Sequence, residues 1–424
     1  MPPRCSTNPR GGNRGVPLSI AILATFVALT WTMRAQEALR SAVNEDRRYQ
    51  LRQQRLVESP STIQAGPVDL TVSAGLGLTY DDNVLLRETD TMDDLILRPS
   101  LNAGVDYPIT DRLRLNFGVG ISYDIYTQNT RDDRFALAPN SSLAFDFLWG
   151  RALFTAYDSF SFSEDLLDQA ESPSSQNFGT FNNSLGARVN WVPEPVFVEA
   201  GYSWNVVVAS NSEFNDLDRN SHQIFGRTGY VVAERTRWGG EVTASQTLYD
   251  SSVRNDFKSV SVGPFIEWQL TDAIRLNLRG GWTWTIFDDN GTLTSPDDVS
   301  VPYASVDVQH QLTDYFSHGI SASREVRVGI NTQYIDTYSI RYDLSWNLTD
   351  RFVLGAGVSY ETGEEPGELA TEKYDRLGFN LGFPFQITDR LSLSVGYGFS
   401  KRNSDAAGRD YQDNRASLDI SYQF

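Results

Sequence analysis

From Asp69 to Phe424 apolar and polar residues alternate in one segment after another. In Arg112 to Tyr126 one set is Leu113, Leu115, Phe117, Val119, Ile121, Tyr123 and Ile125. The other includes Arg114, Asn116, Gly118, Gly120, Ser122 and Asp124. Successive side chains of an extended strand point to opposite faces, so each such segment has one apolar and one polar face. Ile274 to Ile286 sets Trp282, Trp284 and Ile286 against Arg275, Asn277, Arg279 and Thr283, and Leu391 to Ser400 sets Leu391, Leu393, Val395, Tyr397 and Phe399 against Ser and Gly. The segment Arg415 to Phe424 places Ala416, Leu418, Ile420, Tyr422 and Phe424 opposite Arg415, Ser417, Asp419, Ser421 and Gln423. Strands of soluble sandwiches typically run about 5–6 residues. These run roughly twice that, the length of a tilted strand that crosses a bilayer. Arg151 to Phe162 is less regular: Phe154, Phe160 and Phe162 share a face with Asp158. That face is either partly luminal or shifted by a bulge.

The segments are joined in pairs by a recurring turn. Ile109-Thr110-Asp111-Arg112, Leu270-Thr271-Asp272-Ala273, Leu312-Thr313-Asp314-Tyr315, Leu348-Thr349-Asp350-Arg351 and Ile387-Thr388-Asp389-Arg390 are copies of it. Thr and Asp side chains bond nearby backbone and favour tight turns. Weaker equivalents lie at Trp149-Gly150-Arg151, Pro193-Glu194-Pro195 and Ala233-Glu234-Arg235. Longer polar stretches alternate with these turns, near Asp81–Asp93, Gln128–Arg134, Glu164–Gln176, Ser210–Asn220, Asp250–Asn255, Asp288–Asp298, Gly329–Gln333, Thr362–Glu372 and Asn403–Tyr411. Turns recurring about every 40 residues also suggest propeller blades, but each repeat holds two long strands rather than four short ones. The expectation is an all-β, transmembrane, antiparallel up-and-down β-barrel of about 18 strands. The short turns then face the periplasm and the long loops the exterior.

The composition is compatible with a barrel. Of 424 residues, 40% are hydrophobic and 12% aromatic, and no apolar run after the N-terminus reaches the roughly 18 residues of a membrane helix. Barrel strands escape hydropathy averages because half of their residues face the lumen. Arg4, Arg10 and Arg14 precede the apolar run Val16 to Trp31, the order of a secretory signal. The expected organisation is a signal peptide over 1–35 with cleavage near 35–38, a polar periplasmic segment or linker over 36–66, and the barrel over 67–424. Cys5 is the one cysteine and falls in the leader, which excludes thiol chemistry from the mature chain. A net charge of -18 argues against nucleic acid as a partner. Trp149, Trp191, Trp268 and Trp346 lie close to tight turns and read as an interfacial aromatic girdle.

The stretch Gly75 to Leu86, GLGLTYDDNVLL, followed by Asp94 to Ser100, DLILRPS, resembles the opening of the β-barrel porin type 2 family. Its motif residues here are Tyr80, Asp81, Asp82 and Asn83. That family is similar to barrels encoded with bacterial exopolysaccharide operons. The resemblance implies the outer membrane of a Gram-negative-type bacterium and an export or diffusion role, with no substrate named. An alternating strand closing on Tyr422 and Phe424 likewise resembles the C-terminal signal of outer-membrane barrels. It implies the barrel-assembly machinery as a partner, alongside outer-membrane lipids.

Candidate chemistry is confined to the polar face. Expected pore-lining residues are Arg98, Asp106, Arg114, Asp124, Asp146, Arg188, Glu199, Glu267, Arg275, Arg279, Arg341, Asp343, Arg415 and Asp419. So many charges call for a hydrated interior, and opposed basic and acidic rows there would bias ion passage. The acidic loop Asp81–Asp94 offers carboxylates to a divalent cation, but it has no EF-hand-like spacing and a solvated acidic loop is the simpler reading. The histidines are His222, His310 and His318. Neighbouring Ser221 and Ser317 point to the opposite face, and His318 falls in an apolar, interfacial row. No enzyme, metal or cofactor is expected. The sequence therefore favours a passive pore for small polar solutes or ions. The alternatives are a conduit for exopolysaccharide export and a closed structural or adhesin-like barrel.

Overall fold

The computed structural model describes residues 63–128, 133–163, 179–232, 235–293, 298–327, 334–366 and 371–424. The leader and most of the 36–66 segment lie outside the described residues, as do all of Glu164–Gln176 and Gly329–Gln333, and Ala233 and Glu234 of one expected turn. The strands are β1 (Ile63–Ala65), β2 (Val68–Asp81), β3 (Asp94–Thr110), β4 (Leu113–Tyr126), β5 (Arg134–Trp149), β6 (Ala152–Ser163), β7 (Thr180–Trp191), β8 (Val196–Ala209), β9 (Arg219–Val231) and β10 (Thr236–Tyr249). They continue as β11 (Phe257–Gln269), β12 (Ile274–Phe287), β13 (Val299–Thr313), β14 (Phe316–Arg327), β15 (Ile335–Thr349), β16 (Phe352–Pro366), β17 (Thr371–Gln386), β18 (Leu391–Ser404) and β19 (Tyr411–Gln423).

Each long strand pairs antiparallel with the next, and β19 returns to β2 from Arg415↔Asp81 to Gln423↔Ser73. The eighteen long strands β2–β19 therefore form a closed ring. Strand β1, within the stretch read as linker, pairs with β2 from Ile63↔Leu70 to Ala65↔Val68. It occupies the length of the β2 edge that β19 leaves uncovered, where the Phe424 amide donates to Val72 at 2.9 Å. A 14-residue strand tilted by about 45° rises ~33 Å, enough to span a hydrocarbon core.

The Thr-Asp turns show why the chain reverses where it does. The Oγ1 of Thr110 accepts from the amides of Arg112 (3.2 Å) and Leu113 (3.0 Å). Thr271 does the same with Ala273 and Ile274, Thr313 with Tyr315 and Phe316, and Thr388 with Arg390 and Leu391. Thr349 accepts from Arg351. The hydroxyl thus takes over amides that the ladder leaves behind at the reversal. In three of these hairpins the register shifts at the Thr itself, between Pro108/Thr110, Gln311/Thr313 and Asn347/Thr349.

Polar side chains meet across non-adjacent strands: Tyr303 of β13 reaches Glu241 of β10, and Arg327 of β14 reaches Tyr374 of β17. Such contacts are possible only on the concave side of a ring, so this is the inner face. The outer face carries exposed apolar side chains such as Leu78, Ile121, Ile224, Val242 and Ile340. For β6 the structure decides the register. Thr155, Tyr157, Ser159 and Ser161 are buried inside and Phe154 is exposed outside, so Asp158 shares the outer face and accepts from Asn183 Nδ2 at 2.6 Å. The irregularity belongs to β5, which slips against β4 between Gly118/Ile121 and against β6 between Leu137/Ser141.

The turn hydroxyls generate a test. A Thr→Val change at 110, 271, 313 and 388 together removes bonds worth about 1 kcal/mol per turn. The midpoint of heat-modifiability on gels is expected to fall stepwise from single to quadruple variant, while Thr→Ser at the same positions retains it. An unchanged midpoint in the quadruple valine variant would contradict this role.

Candidate functional site

The inner face carries its charge in two tiers. The turn-side tier centres on Arg227 of β9. Its guanidinium contacts Glu199 of β8 (Nη1–Oε2 3.2 Å), Glu241 of β10 (Nε–Oε2 3.5 Å) and Glu267 of β11 (Nη2–Oε1 2.7 Å). Arg279 adds a longer contact to Glu241 (3.8 Å) and Arg237 one to Glu199 (3.9 Å). Three carboxylates and three guanidinium groups thus neutralise one another. Arg227 also lies over the Phe265 ring at 4.0 Å, and Arg237 over Phe197 at 5.5 Å, so the apolar rings shield one side of each cation.

Further round this tier the balance turns acidic. Asp69 of β2 is the direct cross-strand partner of Asp106 of β3. Arg114 approaches Asp106 at 3.5 Å, and Asp146 accepts from Thr155 Oγ1 (2.6 Å) and Asn116 Nδ2 (3.3 Å). Arg188 is buried on the inner face, its cross-strand partner being the Thr155 that bonds Asp146. Arg275 faces the same side opposite Gln269 and Gln309, and Asp307 of β13 accepts there from Asn277 Nδ2 (3.2 Å), so four carboxylates stand against three guanidinium groups.

The loop-side tier has two parts. On β14–β18, Glu361 binds Arg327 (2.7 Å), Arg376 (3.3 Å) and Tyr374 Oη (3.0 Å). Beside it, Glu372 binds Arg402 (2.9 Å) and Arg409. On β19 and β2–β5, Arg98 pairs with Asp124. Arg415 bridges Asp81 (2.8 Å) and Asp413 (3.1 Å). Between the tiers, Arg341 pairs with Asp343 two positions along β15 (2.6 and 2.7 Å), and the Asp419 carboxylate lies over Gly77.

All fourteen sequence-derived lining residues thus lie on the inner face. Sequence reasoning missed Arg227, Glu241, Glu361 and Arg402, the hubs of both tiers. The parity rule reaches them: Arg227 keeps step with buried Ser221 and Gln223, and Glu241 with Thr243. Gly226, Thr228 and Gly240 interrupt the outward apolar row, and Phe225 falls on the inner face, so the phase is hard to read.

Within the motif Tyr80–Asn83, the three residues Asp81, Asp82 and Asn83 form a latch, while Tyr80 faces outward. Asp82 accepts from the backbone N and Nδ2 of Asn414, both at 2.7 Å. Asn83 closes the loop on itself, accepting from the Arg87 amide (2.9 Å) and donating to the Arg87 carbonyl (2.9 Å), and its Nδ2 also donates to the Gln412 carbonyl (2.8 Å). The loop that follows is not a solvated acidic rim along its whole length. Val84, Leu85 and Leu86 are 0–2% exposed, and Val84 packs with the inward-facing Ile96 and Tyr126. The loop therefore folds inward over the mouth. Asp81, Asp82 and Asp413 come together there as a possible cation site, but the Arg415 guanidinium already sits between Asp81 and Asp413.

Inward aromatics lie flat on glycines. A side chain at Gly263 or Gly281 would collide with Tyr303, one at Gly363 with Tyr374, and one at Gly186 with Tyr157. By contrast, a Cβ added at Gly382 of β17 or Gly398 of β18 meets nothing within 4 Å. The inner face of β17 and β18 is therefore open at these two glycines. Outside, Trp149, Trp191, Trp268 and Trp346 are 42–67% exposed beside their turns, where Trp238 and Tyr315 join them. A second aromatic row, including Tyr80, Tyr123, Trp284 and Tyr338, lies toward the loops. The histidines face outward too: His222 Nδ1 is 2.7 Å from Tyr202 Oη, while Ser221 bonds Thr247 on the inner face.

No protein-family model matches this sequence, and no curated protein does. Solved structures do. The outer membrane protein OpdK of Pseudomonas aeruginosa superposes with a TM-score of 0.51 at 10% identity, over 84% of this chain and 99% of that one. OccK9 (OpdG) of the same organism gives 0.50 at 14% identity, over 84% and 99%. OccK2 (OpdF) gives 0.50 at 10% identity, over 84% and 97%. What is shared at this identity is the fold, a closed antiparallel transmembrane barrel.

Two variants probe the site. Arg227→Met leaves Glu199, Glu241 and Glu267 around an uncharged side chain, and loss of a buried partner costs about 3–5 kcal/mol. The urea midpoint in detergent is expected to drop, and Arg227→Met with Glu241→Gln to recover part of it. Asn83→Ala is expected to speed tryptic cleavage after Arg87 several-fold. Equal cleavage rates would show that the latch does not hold the loop.

Proposed function

We propose that this chain is an outer-membrane pore through which small polar solutes or ions diffuse passively. The observation that carries this reading is the open glycine wall at Gly382 and Gly398, facing a lumen lined with ionised side chains. That many charges are stable only with water beside them. Exposed aromatics in two rows, with aliphatic side chains between them, suit the two interfaces and the core of a bilayer. They support an outer-membrane location and lipid as the surrounding partner. The secretory leader supports export to that membrane, and the exposed Tyr422 and Phe424 offer the barrel-assembly machinery an aromatic handle on β19. Asp69, Asp106, Asp146 and Asp307 toward the turn-side mouth, set against Arg114, Arg188 and Arg275, favour cations over anions. No catalytic role is assigned, since His222 is held by Tyr202 and the other two histidines by each other.

The exopolysaccharide conduit has weaker support. It rests on the resemblance at Tyr80–Asn83, where Asp81, Asp82 and Asn83 serve the latch and Tyr80 faces outward. The guanidinium groups are mostly neutralised by neighbouring carboxylates and do not form a free ladder. The closed-barrel alternative draws on the inward fold of the first loop, which narrows the mouth on the β2–β5 side.

Swelling of proteoliposomes in iso-osmotic sugars of graded size tests the pore. The wild-type chain is expected to admit monosaccharides fastest, with rates falling as size rises. Gly382→Trp with Gly398→Trp should slow every sugar by several-fold, and removal of Val84–Met92 should speed them. Swelling no faster than that of protein-free liposomes would overturn the proposal.

A further inference from the structure

All three histidines lie on the outer face, and two of them, His310 and His318, face each other across β13 and β14. We infer that they form a two-imidazole chelate for a borderline divalent transition-metal ion, of the Ni²⁺, Cu²⁺ or Zn²⁺ class, on the outer face of the β13–β14 hairpin. The two residues are direct cross-strand partners. Their Nδ1 and Nε2 atoms lie 3.0 Å apart, with ring centroids 5.0 Å apart and planes at 64°. Metal–imidazole bonds are about 2.0–2.1 Å, so two such bonds at right angles place their nitrogens ~2.9 Å apart. The observed separation is the bite of a cis chelate.

The arrangement is prepared rather than assembled on binding. A tight hairpin joins the two strands, and its reversal is fixed by Thr313 Oγ1 accepting from the amides of Tyr315 and Phe316. The His318 ring is wedged between Phe316 (5.8 Å) and Tyr342 (5.7 Å), and Phe316 packs against Trp346 (6.3 Å). Little rotamer freedom is left to lose when an ion arrives, and such preorganisation favours affinity. In the free hairpin one imidazole donates to the other. On binding, the donor ring moves that proton to its second nitrogen, so both facing nitrogens present lone pairs and no net proton is released. Imidazole is a preferred ligand of Zn, Cu and Ni.

The site lies at a rim rather than in the hydrocarbon band. His310 is three residues before Thr313 and His318 two after Phe316, and Thr313, Asp314 and Tyr315 are exposed. Water there can complete the coordination sphere. The neighbouring outward side chains of β12 and β15 at this level, Ile274 and Leu344, are aliphatic and compete for neither nitrogen. This inference is independent of whether the lumen is open.

The test is calorimetric titration of the untagged, folded mature chain in detergent with Ni²⁺. One ion per chain is expected. His310→Gln and His318→Gln should each weaken binding at least tenfold, while His222→Gln binds as the wild type. Cu²⁺ electron paramagnetic resonance should show two coupled imidazole nitrogens in the wild type and one in either variant. Heat-modifiable mobility on gels confirms that each variant is folded. Folded His310→Gln or His318→Gln binding Ni²⁺ as tightly as the wild type, or a wild type that binds none, would overturn the chelate.

Discussion

Every backbone amide and carbonyl at membrane depth needs a partner within the protein, and a sheet meets that need only by closing on itself. In this chain the requirement falls on the seam between β19 and β2. Paired register runs from Arg415↔Asp81 down to Gln423↔Ser73, and β1 takes over the remaining edge. The seam is tied at its top by the Arg415 bridge to Asp81 and Asp413, and beyond it by Asp82 and Asn83 holding Asn414 and Gln412. The stretch that carries the family resemblance is thus the stretch that stitches the first long strand to the last. It also sets the path of the first loop, because the chain leaving Asn83 is already directed over the mouth.

With closure secured, the interior is shaped by two devices. Tyrosines that would otherwise project into the lumen lie flat in glycine cradles, as Tyr303 does over Gly263 and Gly281. Charges are gathered into tiers whose members neutralise one another, so the desolvation of each is offset by a partner and by water. Both devices fill the wall built from β8–β13. On β16–β18 they are confined to the loop side, where Tyr374 lies over Gly363 and where Glu361 and Glu372 gather their guanidinium groups, and Gly382 and Gly398 have open space in front of them. On the proposed reading, this asymmetry leaves a passage to one side of the axis, with the inward loop narrowing its outer mouth.

Much of the fold was legible because strand period and turn chemistry are local. The Thr-Asp turns announce themselves by composition, and long clean alternation in β4, β12, β18 and β19 fixes which face is polar. Strands rich in glycine on their apolar row were harder. In β9 and β10 the apolar phase is too sparse to read, so Arg227 and Glu241 went unrecognised although they anchor the turn-side tier. The inward course of Val84–Leu86 was hidden for another reason. It depends on contacts with Ile96 and Tyr126 and on bonds to Gln412 and Asn414, far away in sequence. Asp158 shows the limit of the pattern in the other direction: its polarity suggested the lumen, but neighbouring Tyr157 and Ser159 already occupy the inner face.

The central claim is that a hydrated, off-axis passage runs through a closed barrel. Single-channel recording of the refolded mature chain in a planar bilayer under a salt gradient tests it most directly. The account predicts stable conductance steps whose reversal potential reports cation preference, reflecting the acidic turn-side mouth. A folded, heat-modifiable barrel that inserts without conducting would contradict it.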